Sequence, residues 1–166
     1  RRIYATLRAL SAAMKAHDLI HLDNNPTTKV DPAVVEEMMP YLTELYGNPS
    51  SGYRFGQQVG TALEQARERV AGLLGCEPAE IVFTSCGTES DNTAIRGAVE
   101  AARGRIRVIT TRVEHPAVLS PCRYLREHGY EVVEVGVDQA GQLNMEELEQ
   151  ALAAGPAVVS IMWANN

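Results

Sequence analysis

The chain has 166 residues, of which 45% are hydrophobic and 22% are charged, and its formal net charge is −6. This composition is typical of a soluble globular protein, and the acidic balance argues against nucleic-acid binding. No apolar run reaches the roughly 18–20 residues that a membrane span requires. Three cysteines without zinc-type spacing predict free thiols in a reducing cytoplasm.

The first half of the chain is predicted to be mainly helical. The predicted elements are a short amphipathic helix over 5–16, a short strand running into a turn at 19–25, a helix beginning at 32, an exposed loop at 47–56 and a long helix over about 57–74. Asp31 and Pro32 have the residue types of a helix cap and of a first helical position.

The second half alternates between strand and helix patterns. Strands are predicted over 80–84, 106–111, 130–135 and 157–163, and helices over 88–103, 116–128 and 145–153. Asn144 and Glu147 resemble a capping box at the start of the last helix. This alternation predicts an α/β fold, a three-layer α-β-α arrangement around a mainly parallel sheet whose faces are covered.

The segment VFTSCGTESDN (82–92) marks the carboxyl end of one predicted strand and the start of a helix. Gly87 allows a tight turn, after which the free amides of Gly87 and Thr88 and the positive end of the helix dipole could bind a phosphate. The nucleotide-binding patterns GxxxxGK[ST] and GxGxxG are absent. A plain capped helix start, with Ser85 or Thr88 as the cap, would give the same pattern.

Two further polar groups follow neighbouring predicted strands. His115 directly precedes Pro116 at a predicted helix start, and Asn165 and Asn166 follow the last strand. Because the carboxyl ends of parallel strands share one edge of a sheet, we expect these groups near the predicted phosphate site. The imidazole is a candidate for stacking on an aromatic cofactor or for proton transfer; a helix cap and ordinary turn chemistry are the alternatives.

Five motifs, LDNNPTT, YGNPSS, IVFTSCGTESDNTAIRG, TTRVEHPAVL and VSIMWANN, together resemble the amino-terminal part of the cysteine desulfurases. These are pyridoxal-phosphate (PLP) enzymes of the class V aminotransferase family. The resemblance runs from about Ile20 to Asn166. It implies that Gly87 and Thr88 hold the PLP phosphate, and that His115 stacks on the pyridine ring and takes part in proton transfer. It also implies that Asn166 hydrogen-bonds the phenolic oxygen.

The resemblance further implies a reaction and a domain organisation. L-cysteine is converted to L-alanine, and the sulfur passes through an enzyme persulfide to a sulfur-acceptor or scaffold protein, for example in iron–sulfur cluster assembly. A homodimer is expected, with the loop YGNPSSGYRFG (46–56) as a candidate contact and with neither nucleic acid nor membrane as a partner. The expected regions are an amino-terminal extension (1–18), a segment bordering the small domain (19–50) and part of the PLP-binding large domain (51–166).

The chain also departs from the family pattern. Its lysines, Lys15 and Lys29, do not match the family's PLP lysine, and the loop with the persulfide cysteine is absent. The chain is therefore interpreted as a piece that is inactive alone. Cys86 replaces a glycine beside the phosphate site, either as a sulfur acceptor or as a small residue filling a turn. The alternatives are another class V PLP enzyme (a selenocysteine lyase, C–S lyase or aminotransferase) and a non-catalytic half that binds a complementary partner.

Overall fold

The computed structural model describes residues 20–102 and 106–165. Its elements are α1 (Pro32–Thr43), α2 (Arg54–Leu74), a 3-10 helix (Pro78–Glu80), α3 (Gly87–Ala101), β1 (Arg107–Thr111), α4 (Pro116–Glu127), β2 (Val132–Val135), α5 (Met145–Ala153) and β3 (Ala157–Val159). The helix predicted over 5–16 lies outside the described residues.

The described chain divides into two compact units, residues 20–38 and 39–165. In the first unit, the carboxylate of Asp31 accepts a hydrogen bond from the Ala33 amide at 2.8 Å, so the predicted cap of α1 is confirmed. Of the short strand and turn predicted at 19–25, the turn is confirmed at 24–26, whereas the strand is wrong, since residues 20–23 form irregular chain. Ile20 and Leu22 are exposed there, and a strand forms only where its backbone finds a pairing partner.

The second unit contains a parallel three-stranded sheet with the order β2-β1-β3. The central strand β1 pairs with both neighbours, with Ile109 opposite Val133 on one side and Val159 on the other. This arrangement confirms the parallel sheet predicted from the alternation of strands and helices.

Successive residues of β1 point to opposite faces of the sheet and enter two separate cores. Val108 packs with the side chains of α3 and α4, among them Ile95, Val99 and Cys122. Ile109 packs on the other face with Leu148 and Ala151 of α5. Helices therefore cover both faces, which gives the predicted three-layer α-β-α fold.

The strand predicted over 80–84 is wrong. Glu80 ends the 3-10 helix, and residues 81–84 form no strand, although Ile81 has extended backbone angles. Within the described chain no strand pairs with this segment. Instead the Arg67 side chain donates to the Ile81 carbonyl, and its guanidinium lies 5.0 Å from the centre of the Phe83 ring.

The remaining elements match their predictions with small shifts. The last helix has its predicted bounds, and the Asn144 side chain accepts from the Glu147 amide at 3.1 Å. The Glu147 carboxylate does not complete a capping box, because it accepts from the Gly136 amide at 2.8 Å instead. β3 ends at Val159, four residues before the predicted end at 163. The last three residues of the loop predicted at 47–56 belong to α2, which begins at Arg54.

Candidate functional site

The loop before α3 is held by hydrogen bonds among its own residues and the first turn of the helix. The Ser85 amide and hydroxyl both donate to the Glu89 carboxylate at 2.7 Å. The Thr84 hydroxyl lies 2.6 Å from that of Ser90 and donates to the Cys86 carbonyl at 3.1 Å. These contacts fix the entry of the chain into α3 from within the loop.

The same arrangement leaves backbone donors available at the start of α3. Cys86 occupies the N-cap position but makes no side-chain cap. In the described part of the chain, the amides of Gly87 and Thr88 donate to no carbonyl or carboxylate. A β-carbon built on Gly87 would meet nothing within 4 Å, so the structure leaves room for a small side chain at this position. Open amides at the positive end of a helix form an anion-binding surface.

Two ionisable side chains at this loop have shifted titration. The Ser85 hydroxyl and then the Ser85 amide lower the pKa of the Glu89 carboxyl, so this carboxylate stays charged and bound to Ser85. The Glu89 amide, followed by the Ser85 hydroxyl, lowers the pKa of the Cys86 thiol. Both groups are exposed, and in each case the lowered pKa comes mainly from hydrogen bonds that favour the negatively charged form.

His115 lies at the start of the neighbouring helix. Its Nδ1 accepts a hydrogen bond from the Ala117 amide at 3.0 Å and thereby caps α4. A neutral ring with this bond carries its proton on Nε2. The cap predicted as an alternative role for His115 is therefore present, and it leaves Nε2 as the atom that can meet a ligand.

Asn92 brings the two helix starts together. Its side-chain amide donates to the Thr88 carbonyl at 2.9 Å and to the Ala117 carbonyl at 3.2 Å. One side chain thus spans the first turn of α3 and the first turn of α4. Gly87, Thr88 and His115 consequently lie at the adjacent amino ends of two packed helices.

The segment after β3 reaches the same region. The Asn165 side chain donates to the Val113 carbonyl at 2.6 Å, two residues before His115. The Met162 amide donates to the buried Glu114 carboxylate at 2.7 Å. Asn165 therefore lies beside the loop that carries His115, whereas Asn166 lies outside the described residues.

Asn92 and Glu114 were not among the predicted site residues. Asn92 lies three and seven residues before Ile95 and Val99, the buried residues of α3, so it is a polar residue on the apolar face of that helix. Glu114 is a carboxylate three residues after a strand whose last four residues are buried. A polar residue on an apolar helix face was the available signal for Asn92, whereas no comparable pattern surrounds Glu114, because the two residues before it are exposed.

In the residues that the structure describes, no group of histidine, cysteine and acidic side chains could hold a metal ion. No helix in that part of the chain combines the length and the apolar character needed to cross a bilayer.

The fold and these motifs place the chain in a known family. Residues 20–166 match the family model described as Aminotransferase class-V. The chain therefore belongs to the class V aminotransferase family.

Within that family, the chain is similar to cysteine desulfurases. It is 57% identical over 148 residues to the cysteine desulfurase of Nostoc sp. (strain PCC 7120), covering 89% of this chain and 37% of the relative. It also resembles the solved structure of a NifS-like protein, with 45% identity and a TM-score of 0.79 over 88% of this chain and 40% of the other. A structure titled SspA in complex with cysteine matches with 32% identity and a TM-score of 0.71, over 81% and 39% of the two chains. The chain thus spans about two fifths of the length of these proteins, at their amino-terminal end.

Proposed function

We propose that this chain is the amino-terminal part of a PLP-dependent cysteine desulfurase, which converts L-cysteine to L-alanine and passes the sulfur through an enzyme persulfide to an acceptor protein. The observation that carries the proposal is the pair of adjacent helix starts, one with open amides and the other with an imidazole. The relatives named cysteine desulfurase and the cysteine-bound SspA structure support the substrate.

The residues fit the phosphate of PLP. The amides of Gly87 and Thr88 donate to no carbonyl or carboxylate in the described chain, the Thr88 amide faces the Cys86 thiol, and the Thr88 hydroxyl is exposed beside them. A doubly charged phosphate at a helix start gains from both the donors and the helix dipole. When bound, PLP supplies an electron sink for chemistry on the amino-acid substrate.

The other residues have roles around the ring. The Ala117 bond engages Nδ1 of His115, so Nε2 is the atom that holds or moves a proton near the cofactor, and the exposed imidazole face is available for stacking. Asn165 orients the end of the segment that carries Asn166, for which we propose a hydrogen bond to the phenolic oxygen. We further propose a cytoplasmic homodimer that delivers sulfur to an acceptor or scaffold protein.

A proline at position 87 tests the phosphate site. Gly87 is the first residue of α3 and follows a residue with extended backbone, φ −168° and ψ 169°, which is a position that proline tolerates. G87P therefore deletes one N–H while keeping the helix, although its ring also enters the space in front of that N–H. G87A keeps the N–H and adds only a methyl group in open space.

The complete protein should be assayed for PLP binding by visible absorption and for release of alanine and sulfide from L-cysteine. We expect G87P to weaken PLP binding about 10-fold to 100-fold, as for a lost hydrogen bond to a charged group, and G87A to behave like the unmodified protein. Equal PLP binding by all three proteins would contradict the phosphate site. Turnover of L-selenocysteine or another amino acid, but not of L-cysteine, would favour another class V reaction.

A further inference from the structure

The hydrogen-bond ladder between β1 and β3 continues past the end of β3. Ile109 pairs with Val159, and the Ser160 amide then donates to the Ile109 carbonyl at 2.9 Å. Each rung of a parallel ladder lies two residues beyond the last, so the next acceptor for the Met162 amide would be the Thr111 carbonyl. The Met162 amide donates instead to Oε1 of Glu114 at 2.7 Å.

Glu114 is built into this position. Its side chain is buried, with 5% of the residue exposed, and the same Oε1 also accepts from the Thr111 hydroxyl at 3.1 Å. A buried carboxylate is costly unless donors compensate it. One donor, the Thr111 hydroxyl, lies at the end of β1. The other, the Met162 amide, lies 48 residues after Glu114 in the chain. The carboxylate therefore connects two segments that are far apart in the sequence.

We infer that Glu114 is a positioning residue, whose carboxylate replaces the last rung of the sheet and holds the segment after β3 against the loop that carries His115. We call the set Thr111, Glu114 and Met162 the Glu114 joint. The bond from Asn165 to the Val113 carbonyl, at 2.6 Å, lies just beyond the joint. Displacement of Met162 would therefore change where Asn165 lies relative to His115.

The consequence for the reaction rests on the proposed function, whereas the joint itself does not. If His115 and the segment ending in Asn165 act on one cofactor, their relative position must be kept within a fraction of an ångström. Loss of the carboxylate would leave the fold but loosen this alignment. We expect a loss of turnover that exceeds any loss of substrate or cofactor binding.

The joint can be measured without substrate. In the cofactor-free complete protein, hydrogen exchange of the peptide that contains Met162 reports its bond to Glu114. E114A should raise the exchange rate of the Met162 amide about 10-fold or more, because its acceptor is lost. E114Q keeps an oxygen acceptor and should stay within a few-fold of the unmodified rate. E127Q, which changes an exposed carboxylate at the end of α4, is the matched control and should leave exchange unchanged.

Kinetics then separate a positioning role from a merely structural one. E114A should lower kcat for L-cysteine about 10-fold to 100-fold, with KM and PLP content within about 3-fold of the unmodified protein. E114Q should recover most of kcat, and T111V, which deletes only the hydroxyl donor, should fall between the two. These milder variants keep the test decisive even where E114A does not fold.

Unchanged exchange at Met162 in E114A, the variant that removes its acceptor, would overturn the joint, whatever reaction the protein catalyses. Faster exchange with an unchanged kcat would overturn the positioning role, because the bond would then serve the fold alone. An unmodified protein without activity on L-cysteine would count against the proposed function, and the exchange comparison would still decide on the joint.

Discussion

Two cysteines of the α3–α4 region, Cys86 and Cys122, differ in solvent exposure and in the direction of their pKa shifts. Cys86 is exposed at the start of α3, and the neighbouring Glu89 amide and Ser85 hydroxyl lower its pKa. Cys122 is buried between α4 and the sheet; burial, and then the charge of Glu134, raise its pKa to about 11. Because only the thiolate is nucleophilic, the two residues should react at very different rates.

The first prediction concerns alkylation at the residue scale. Iodoacetamide at pH 7.5 should label Cys86 at least about 10-fold faster than Cys122. The Cys86 rate should rise with pH and level off once its lowered pKa is passed, whereas the Cys122 rate should still be rising at pH 10. Peptide mass spectrometry at several times and pH values measures both rates. C86S should remove the fast phase and leave the slow one, and equal rates in the native protein would contradict the prediction.

Residue-scale geometry also shows which parts of the site follow from the sequence. Gly87, Thr88 and His115 were predicted at helix starts because turns and caps depend on a few neighbouring residues. Asn92 and Glu114 were missed because their decisive partners lie 25 and 48 residues away. Local patterns thus predict where donors and ring nitrogens occur, but not which side chains connect them.

At the element scale, the contact between α3 and α4 depends on one polar bridge beside an apolar core. Asn92 donates to carbonyls of both helices, and the next turns pack Ile95 and Val99 against Val118 and Cys122. Since Asn92 is half-buried, loss of its donor would leave the Ala117 carbonyl without that partner in a poorly hydrated place. Such a loss costs more than the net value of the bond.

The second prediction tests this bridge. N92A should destabilise the cofactor-free protein by about 1–3 kcal/mol, and N92D should lose more because it brings a carboxylate against two carbonyl oxygens. Thermal unfolding followed by circular dichroism measures both changes. T93A alters the exposed neighbour and serves as the control. N92A and T93A midpoints that coincide with that of the unmodified protein would argue against the bridge.

Elements were predicted well where they are locally determined. α5 has its predicted bounds, and β1 lies within one residue of its prediction, because helix periodicity and a continuous buried run are readable along the chain. The strand predicted at 80–84 did not form. Its residues have strand propensity, but pairing depends on a partner that no local pattern supplies, and the Arg67 side chain binds the Ile81 carbonyl instead.

At the scale of the whole molecule, the described sheet has apolar groups at its outer side. β3 pairs only with β1 among the described strands. Val159 and Ile161 are 45% and 38% exposed, and Trp163 is fully exposed. A sheet edge with unpaired backbone groups and apolar neighbours favours pairing with further strands or other chains. The chain also spans only 37% of its Nostoc relative. The exposed edge of β3 should therefore influence whether the 166-residue chain associates when it is expressed alone.

The last prediction is therefore that the 166-residue chain, expressed by itself, associates as its concentration rises. V159K places a charge on the exposed end of β3 and should shift the distribution towards monomer, since a lysine on an edge strand opposes edge-to-edge pairing. L152K makes the same change at an exposed position on α5 and should leave association unchanged. Sedimentation velocity at several micromolar concentrations compares the three chains. If the unmodified chain stays monomeric throughout, or if L152K disperses it as well as V159K does, then association at the β3 edge is not the explanation, because a specific edge contact must respond to the position of the charge and not only to its presence.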